Sequence, residues 1–190
     1  MYRLCVTEKT AQQQRQFETV FLELSQKMPY DDITISELCR QSGLSRKIFY
    51  RLFDRKADVL YALLDHTLLD AQNFQPDPSV KEGGLHRFFA FWKSQKPLLD
   101  MLRDNQCSSA LTEAAIRHIA RNGFEYLYCF GTAESPYPTE SLNFYVSGIF
   151  SLVLNWHSHG YDKSIDELSD CLMYLLTSTP VKHPLTGPGE

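Results

Sequence analysis

Apolar residues recur along this chain at intervals of three and four, and no stretch of strand length alternates between apolar and polar positions. That period places side chains on one face of a helix, so the pattern predicts helices throughout and an all-α fold. Over residues 7–28, Phe17, Val20, Phe21, Leu24 and Met28 form one apolar stripe, Gln12, Gln13, Gln14 and Arg15 extend the polar end, and Pro29 closes the helix. Thr34 and Glu37 have the spacing of a capping box and open a short helix to about residue 42. Gly43 supplies a left-handed turn residue, and Ser45 caps a second short helix ending near residue 52. Two helices of about two turns joined by a three-residue turn containing glycine have the form of a helix-turn-helix.

A longer helix runs on from residue 55 or 56 with Leu60, Leu63, Leu64, Leu68 and Ala71 on one face, until 73–78, where Pro76 and Pro78 mark a loop. Ser79 and Glu82 offer a second capping box ahead of Leu85, Phe88, Phe89, Phe91 and Trp92, and Pro97 starts another short helix. A helix over about 108–129 carries Leu111, Ala115, Ile119, Phe124 and Leu127. After a turn-rich break at 131–138, Thr139 caps the most apolar segment, 139–159, with Leu142, Tyr145, Val146, Ile149, Leu152, Val153 and Trp156. Gly160 ends it. Ser164 and Glu167 form a third capping box, before Leu168, Cys171, Leu172, Leu175 and Leu176 in a last helix over 164–178. The pattern divides the chain into a helix-turn-helix domain over 1–55, a helical domain over 56–178 and a disordered tail over 179–190.

Composition adds one asymmetry. The chain of 190 residues has a net charge of -4, yet residues 1–60 hold ten Lys/Arg against eight Asp/Glu, a balance of +2 that leaves -6 for the rest. Within 40–56, Arg40, Arg46, Lys47, Arg51, Arg55 and Lys56 face only Asp54. A short basic stripe on an acidic body suits local, directed phosphate binding. The five cysteines are scattered without paired spacing, which points to neither a disulfide framework nor a zinc site. The start lacks the apolar core of a signal peptide and no run is long enough for a membrane helix, so the expected location is cytoplasmic, with no membrane partner.

Residues 34–60 resemble the DNA-binding signature of the TetR family of transcriptional regulators. Thr34, Leu38, Gly43, Ser45, Tyr50, Phe53, Lys56 and Leu60 stand at that family's spacing, and the resemblance is specific over about residues 10–65. Gly148-Ile149 followed by Trp156 and Gly160 looks like the C-terminal domain of a subgroup common in Firmicutes. The resemblance implies a homodimeric repressor with a palindromic double-stranded operator and a small-molecule effector.

Physical chemistry assigns roles to the same positions. A helix beginning at Ser45 projects Arg46 and Lys47 from its first turn, where a recognition helix in the major groove meets base edges. Arg46 is the first choice for sequence readout, because arginine bonds guanine O6 and N7 together. Tyr50 lies one turn on, within reach of a phosphate or thymine methyl, and Arg51 extends the basic stripe. Lys56 and Thr34, each at a helix N-terminus, are placed to hold phosphates. Two positions depart from the family pattern: Ile48 replaces a common threonine and Lys47 a common small residue, so the base contacts cannot be copied wholesale. Phe49 and Phe53 read as core residues that pin the two helices together.

Other chemistry is thin. His157 and His159 at i and i+2 point to different helix faces and read as surface or helix-end residues, not a metal pair. Asp54 and Asp58, like Asp100 and Asp104, share a face, but no nucleophile or glycine-rich phosphate loop accompanies them. No enzyme, cofactor or metal is expected. The segments 139–159 and 164–178 are the expected dimer interface, as a four-helix bundle with Tyr145, Ile149, Leu152, Trp156, Leu168, Leu172 and Leu175. Phe88, Trp92, Phe124 and Tyr128, with Phe89, Phe91 and Tyr126, are candidate lining for an apolar or aromatic effector, although aromatic residues at helical spacing are more often plain core. An adaptor whose helix-turn-helix binds protein, and an enzyme, are the competing readings.

Overall fold

The computed structural model describes residues 7–75, 83–122 and 136–177, and every extended regular element among them is helical. In chain order these are α1 (Glu8–Ser25), α2 (Ile35–Ser42), α3 (Arg46–Leu52), α4 (Lys56–Asn73), α5 (Gly84–Ser94), α6 (Lys96–Asp104), α7 (Ser109–Asn122), α8 (Pro138–Ser158) and α9 (Ile165–Thr177). A 3-10 turn, Tyr30–Asp32, follows Pro29 and leads to α2. The expected capping box at residues 79–82, the end of the 108–129 helix and the tail from 179 lie outside the described residues.

Local chemistry accounts for most of the boundaries. Thr7 caps α1 by accepting from the Thr10 backbone N–H, and Ser164 and Glu167 cap α9 reciprocally, with Ser164 N–H donating to Glu167 at 2.8 Å. Thr34 accepts from the Glu37 N–H at 3.1 Å, but Glu37 does not reach back. Its carboxylate binds Arg40 and Gln41 one turn on, so the expected box is only half formed. Pro138, and not Thr139, opens α8, since the fixed φ of proline suits the first helical position.

Two regions of one continuous hydrophobic core organise the packing. In the first, α1 lies on α2 and α4, and Phe17 meets Phe49 and Phe53 edge-on at centroid distances of 5.3 and 5.9 Å. Both rings are fully buried, as their spacing suggests. Each such ring contributes about 1.5–3 kcal/mol over its exposed state. In the second, α5 lies against α8 and α9, and Phe89, Phe91, Trp92, Phe150 and Trp156 interlock. The helix α4 runs from the first region to α7, and α6 contacts both α1 and α8.

The buried face of α8 comprises Val146, Phe150, Val153, Trp156 and His157. His157 therefore departs from its expected surface position: it is 3% exposed, with Nε2 2.9 Å from Asp100 Oδ1 on α6. One carboxylate on the neighbouring helix suffices to keep an imidazole in an otherwise apolar face. His159 is exposed at the helix end as expected.

Candidate nucleic-acid interface

The turn between α2 and α3 is set by Gly43, whose φ of 67° is the left-handed conformation that glycine adopts without steric cost. Ser45 then caps α3 by accepting from the Ile48 N–H at 3.3 Å. The helix is anchored from within: Phe49 and Leu52 are buried, Ile48 is half-buried against the same core, and Phe53 closes the end. A helix held on that side must turn residues 46, 47, 50 and 51 the other way, and all four are exposed. Tyr50 is 48% exposed, with its ring edge-on to Phe49 at 5.5 Å, which fixes its direction of projection.

The cations of the stripe differ in what already holds them. Arg46 and Lys47 are exposed and make no ion pair or side-chain hydrogen bond with the described residues. Arg51 donates to Gln13 Oε1 on α1 at 2.6 Å, a neutral partner that leaves its charge available. Arg40 is paired with Glu37, and hydrogen bonds from Arg40 and then Gln41 hold that carboxyl at about 2, well below the usual range. Arg55 lies beside Asp58, its Nε 3.6 Å from the carboxylate.

Lys56 is turned inward. Its ammonium donates to the backbone oxygens of Tyr30 at 2.5 Å and Asp31 at 3.3 Å and sits 4.1 Å from the Tyr30 ring centroid. Burial lowers its pKa below the usual lysine value. The start of α4 also carries an anion of its own, because Asp58 accepts from the backbone N–H groups of Asp54 and Arg55 at 3.1 and 3.2 Å. Lys56 is thus a brace between α4 and the 3-10 turn. Thr34, in contrast, is exposed at the N-terminus of α2.

Several residues that support this surface were not legible as such. Gln13 steadies Arg51, Gln16 donates to the Ser42 carbonyl at 2.6 Å, and Asn105, just past α6, accepts from the Tyr30 N–H at 2.7 Å. Each is a long-range contact between polar residues with no spacing rule to reveal it. Asp58 did carry a signal, an acid in the first turn of a helix.

The other expected sites fall unevenly. Phe88, half-buried, and Trp92, buried, meet Phe150 edge-on at 6.0 and 5.1 Å, while Phe124, Tyr126 and Tyr128 lie outside the described residues. Of the residues expected at a dimer interface, Trp156, Leu168 and Leu172 are at most 4% exposed and are covered by the chain's own core. That is a correction: helical periodicity reveals that a face is covered but not what covers it. Tyr145, Ile149 and Leu152 flank this face half-buried, and Leu175 is 60% exposed. Five of the seven large hydrophobics exposed among the described residues, Tyr137, Phe144, Met173, Tyr174 and Leu175, belong to α8, α9 or the residue before α8.

Among the described residues no group of three or more His, Cys, Asp or Glu could hold a metal ion, and no helix is long and apolar enough to cross a membrane. Compared with protein-family models and with curated protein sequences, the chain matches none.

Proposed function

We propose that the chain is a DNA-binding transcriptional regulator, a homodimeric repressor that reads a palindromic operator and is released by a small-molecule effector. The observation that carries the reading is α3. A helix capped at Ser45 and pinned through Phe49 and Leu52 offers Arg46, Lys47, Tyr50 and Arg51 on its outer face. An α-helix fits the major groove, and its first turn is where arginine reads guanine. The resemblance of residues 34–60 to the TetR signature supports the same reading. So does the charge of the stripe against a chain that is acidic elsewhere.

Dimerisation is supported by the apolar side chains left outside the fold. Tyr174, Leu175 and Met173 are exposed on α9 and Phe144 on α8, and exposed apolar residues gathered on neighbouring elements favour association. A twofold dimer sets two α3 helices about 34–36 Å apart, one duplex turn, and so requires a palindrome. The effector acts by binding preferentially to a form with a different head spacing.

The test is selection of bound duplexes from a random pool by the purified chain, followed by titration of the enriched sequence. Enrichment of a palindrome, with the choice of base relaxed at one position of each half-site in Arg46→Ala, supports the proposal. Retention of no duplex at low salt overturns it.

A further inference from the structure

Four ionisable side chains meet where α1 lies on α4. Arg15 donates to both carboxylate oxygens of Asp70, at 2.9 and 3.1 Å. One turn along, Nδ1 of His66 lies 2.8 and 2.9 Å from the two carboxylate oxygens of Glu18, and Arg15 approaches the same carboxylate to 3.8 Å. Glu18 is 1% exposed, whereas Asp70 is half exposed to water. The seam therefore holds two carboxylates and one permanent cation, with the buried carboxylate facing an imidazole.

Charge balance in this seam depends on one proton. With a proton on the Glu18–His66 pair, the four groups sum to zero. Without it, a carboxylate stays buried against a neutral ring, which is costly in a poorly solvated site. Burial dominates at Glu18 and raises its pKa above the usual carboxylate value, in keeping with a site that holds a proton. Imidazole is the side chain suited to such exchange between pH 5 and 8.

Among the described residues, two further imidazole–carboxylate pairs lack this deficit. Asp100, beside His157, already has Lys96 at 2.5 Å and Arg103 at 3.2 Å. Asp166, beside His86, is 49% exposed and solvated. Around the seam, α7 packs on the far side of α4 with Arg117, set over the Tyr61 ring, and His118, bonded to Gln72. Asp65 of α4 acts on His118 from that side. These groups leave the balance among Arg15, Glu18, His66 and Asp70 intact.

We propose that the contact between α1 and α4 is a proton-dependent joint, closed when the Glu18–His66 pair holds a proton and loosened when the proton leaves. The joint sets how firmly the helix-turn-helix head is fixed to the rest of the chain. It rests on the geometry of the seam and not on what the head binds.

Hydrogen exchange of the full chain, followed by mass spectrometry at pH 6 and pH 8 with the intrinsic rates divided out, tests this. In the wild type, protection of the α1 amides is expected to fall on going to pH 8, by at most about tenfold per pH unit for one linked proton. Protection of α5 and α8 should stay constant. Glu18→Gln, which removes the buried charge, should abolish the pH dependence, whereas His66→Asn, which takes away the ring that helps keep Glu18 ionised, should move it to higher pH. Equal α1 protection at the two pH values in the wild type overturns the joint, as does a wild-type pH dependence retained in Glu18→Gln. Should neither variant fold, carbon-13 NMR of the Glu18 carboxyl group decides: its signal must change in step with the loss of α1 protection, and a change outside that range overturns the proposal.

Discussion

The ammonium of Lys56 donates to the backbone oxygen of Tyr30 at 2.5 Å while lying over the same residue's ring. This contact joins the first turn of α4 to the chain between α1 and α2, and it separates Lys56 from the cations that point outward. Lys56→Met should cost about 1.5–3 kcal/mol in unfolding free energy, the range for hydrogen bonds from a charged donor. It should weaken duplex binding through the posture of the head, with little change in the dependence of affinity on salt.

Lys47 is predicted to behave in the opposite way. It is exposed and unpaired among the described residues, so Lys47→Ala should leave folding within about 0.5 kcal/mol of wild type. If it holds one phosphate, its loss should lower the slope of log affinity against log salt by about 0.9. Titrations at several salt concentrations separate the two lysines.

Arg46→Ala should cost about 1–3 kcal/mol on the preferred duplex and relax the choice of base at one position of each half-site, with stability unchanged. Competition between duplexes that differ at single positions measures this.

Gly43→Ala isolates the turn. A Cβ there meets nothing within 4 Å, so the whole penalty comes from the left-handed backbone, about 1–2 kcal/mol. Denaturant unfolding should show that loss, and duplex affinity should fall further if the α2–α3 angle opens.

Inner and outer faces of the last two helices should respond differently. Trp156→Ala empties a buried site and should cost about 3–5 kcal/mol. Tyr174→Glu with Leu175→Glu, both on exposed positions, should leave the fold intact and, for the proposed dimer, lower the mass in light scattering to that of a monomer.

Glu18 gives the pH dependence its sign. Burial raises its folded-state pKa, so the fold binds that proton more tightly than the unfolded chain does. The corresponding stability is fully present below about pH 4.5 and is lost as pH rises through the folded-state value. Glu18→Gln should gain on the wild type as pH rises toward neutrality, and urea unfolding across that range would reveal the crossing.

How far the fold was legible in the sequence follows from which interactions are local. Ser45, Gly43 and the Ser164–Glu167 box act within four residues, and each stands where its spacing indicates. The same spacing at Thr34 and Glu37 formed only half a box, because Arg40 and Gln41 follow Glu37 and capture its carboxylate, whereas Asp170 and Cys171 follow Glu167 and offer no cation. The roles of Lys56, His157 and Trp156 depend on partners 7 to 57 residues away in the chain, which periodicity does not encode.

Fluorescence anisotropy of the selected palindrome at about 50 mM salt, with wild type and Arg46→Ala side by side, measures directly whether the outer face of α3 reads duplex DNA. Wild-type binding should be saturable and weaken steeply with salt, and Arg46→Ala should no longer separate the palindrome from a duplex altered at the one half-site position that Arg46 reads. Equal binding of both proteins to both duplexes, or no binding by the wild type, would contradict that role for α3.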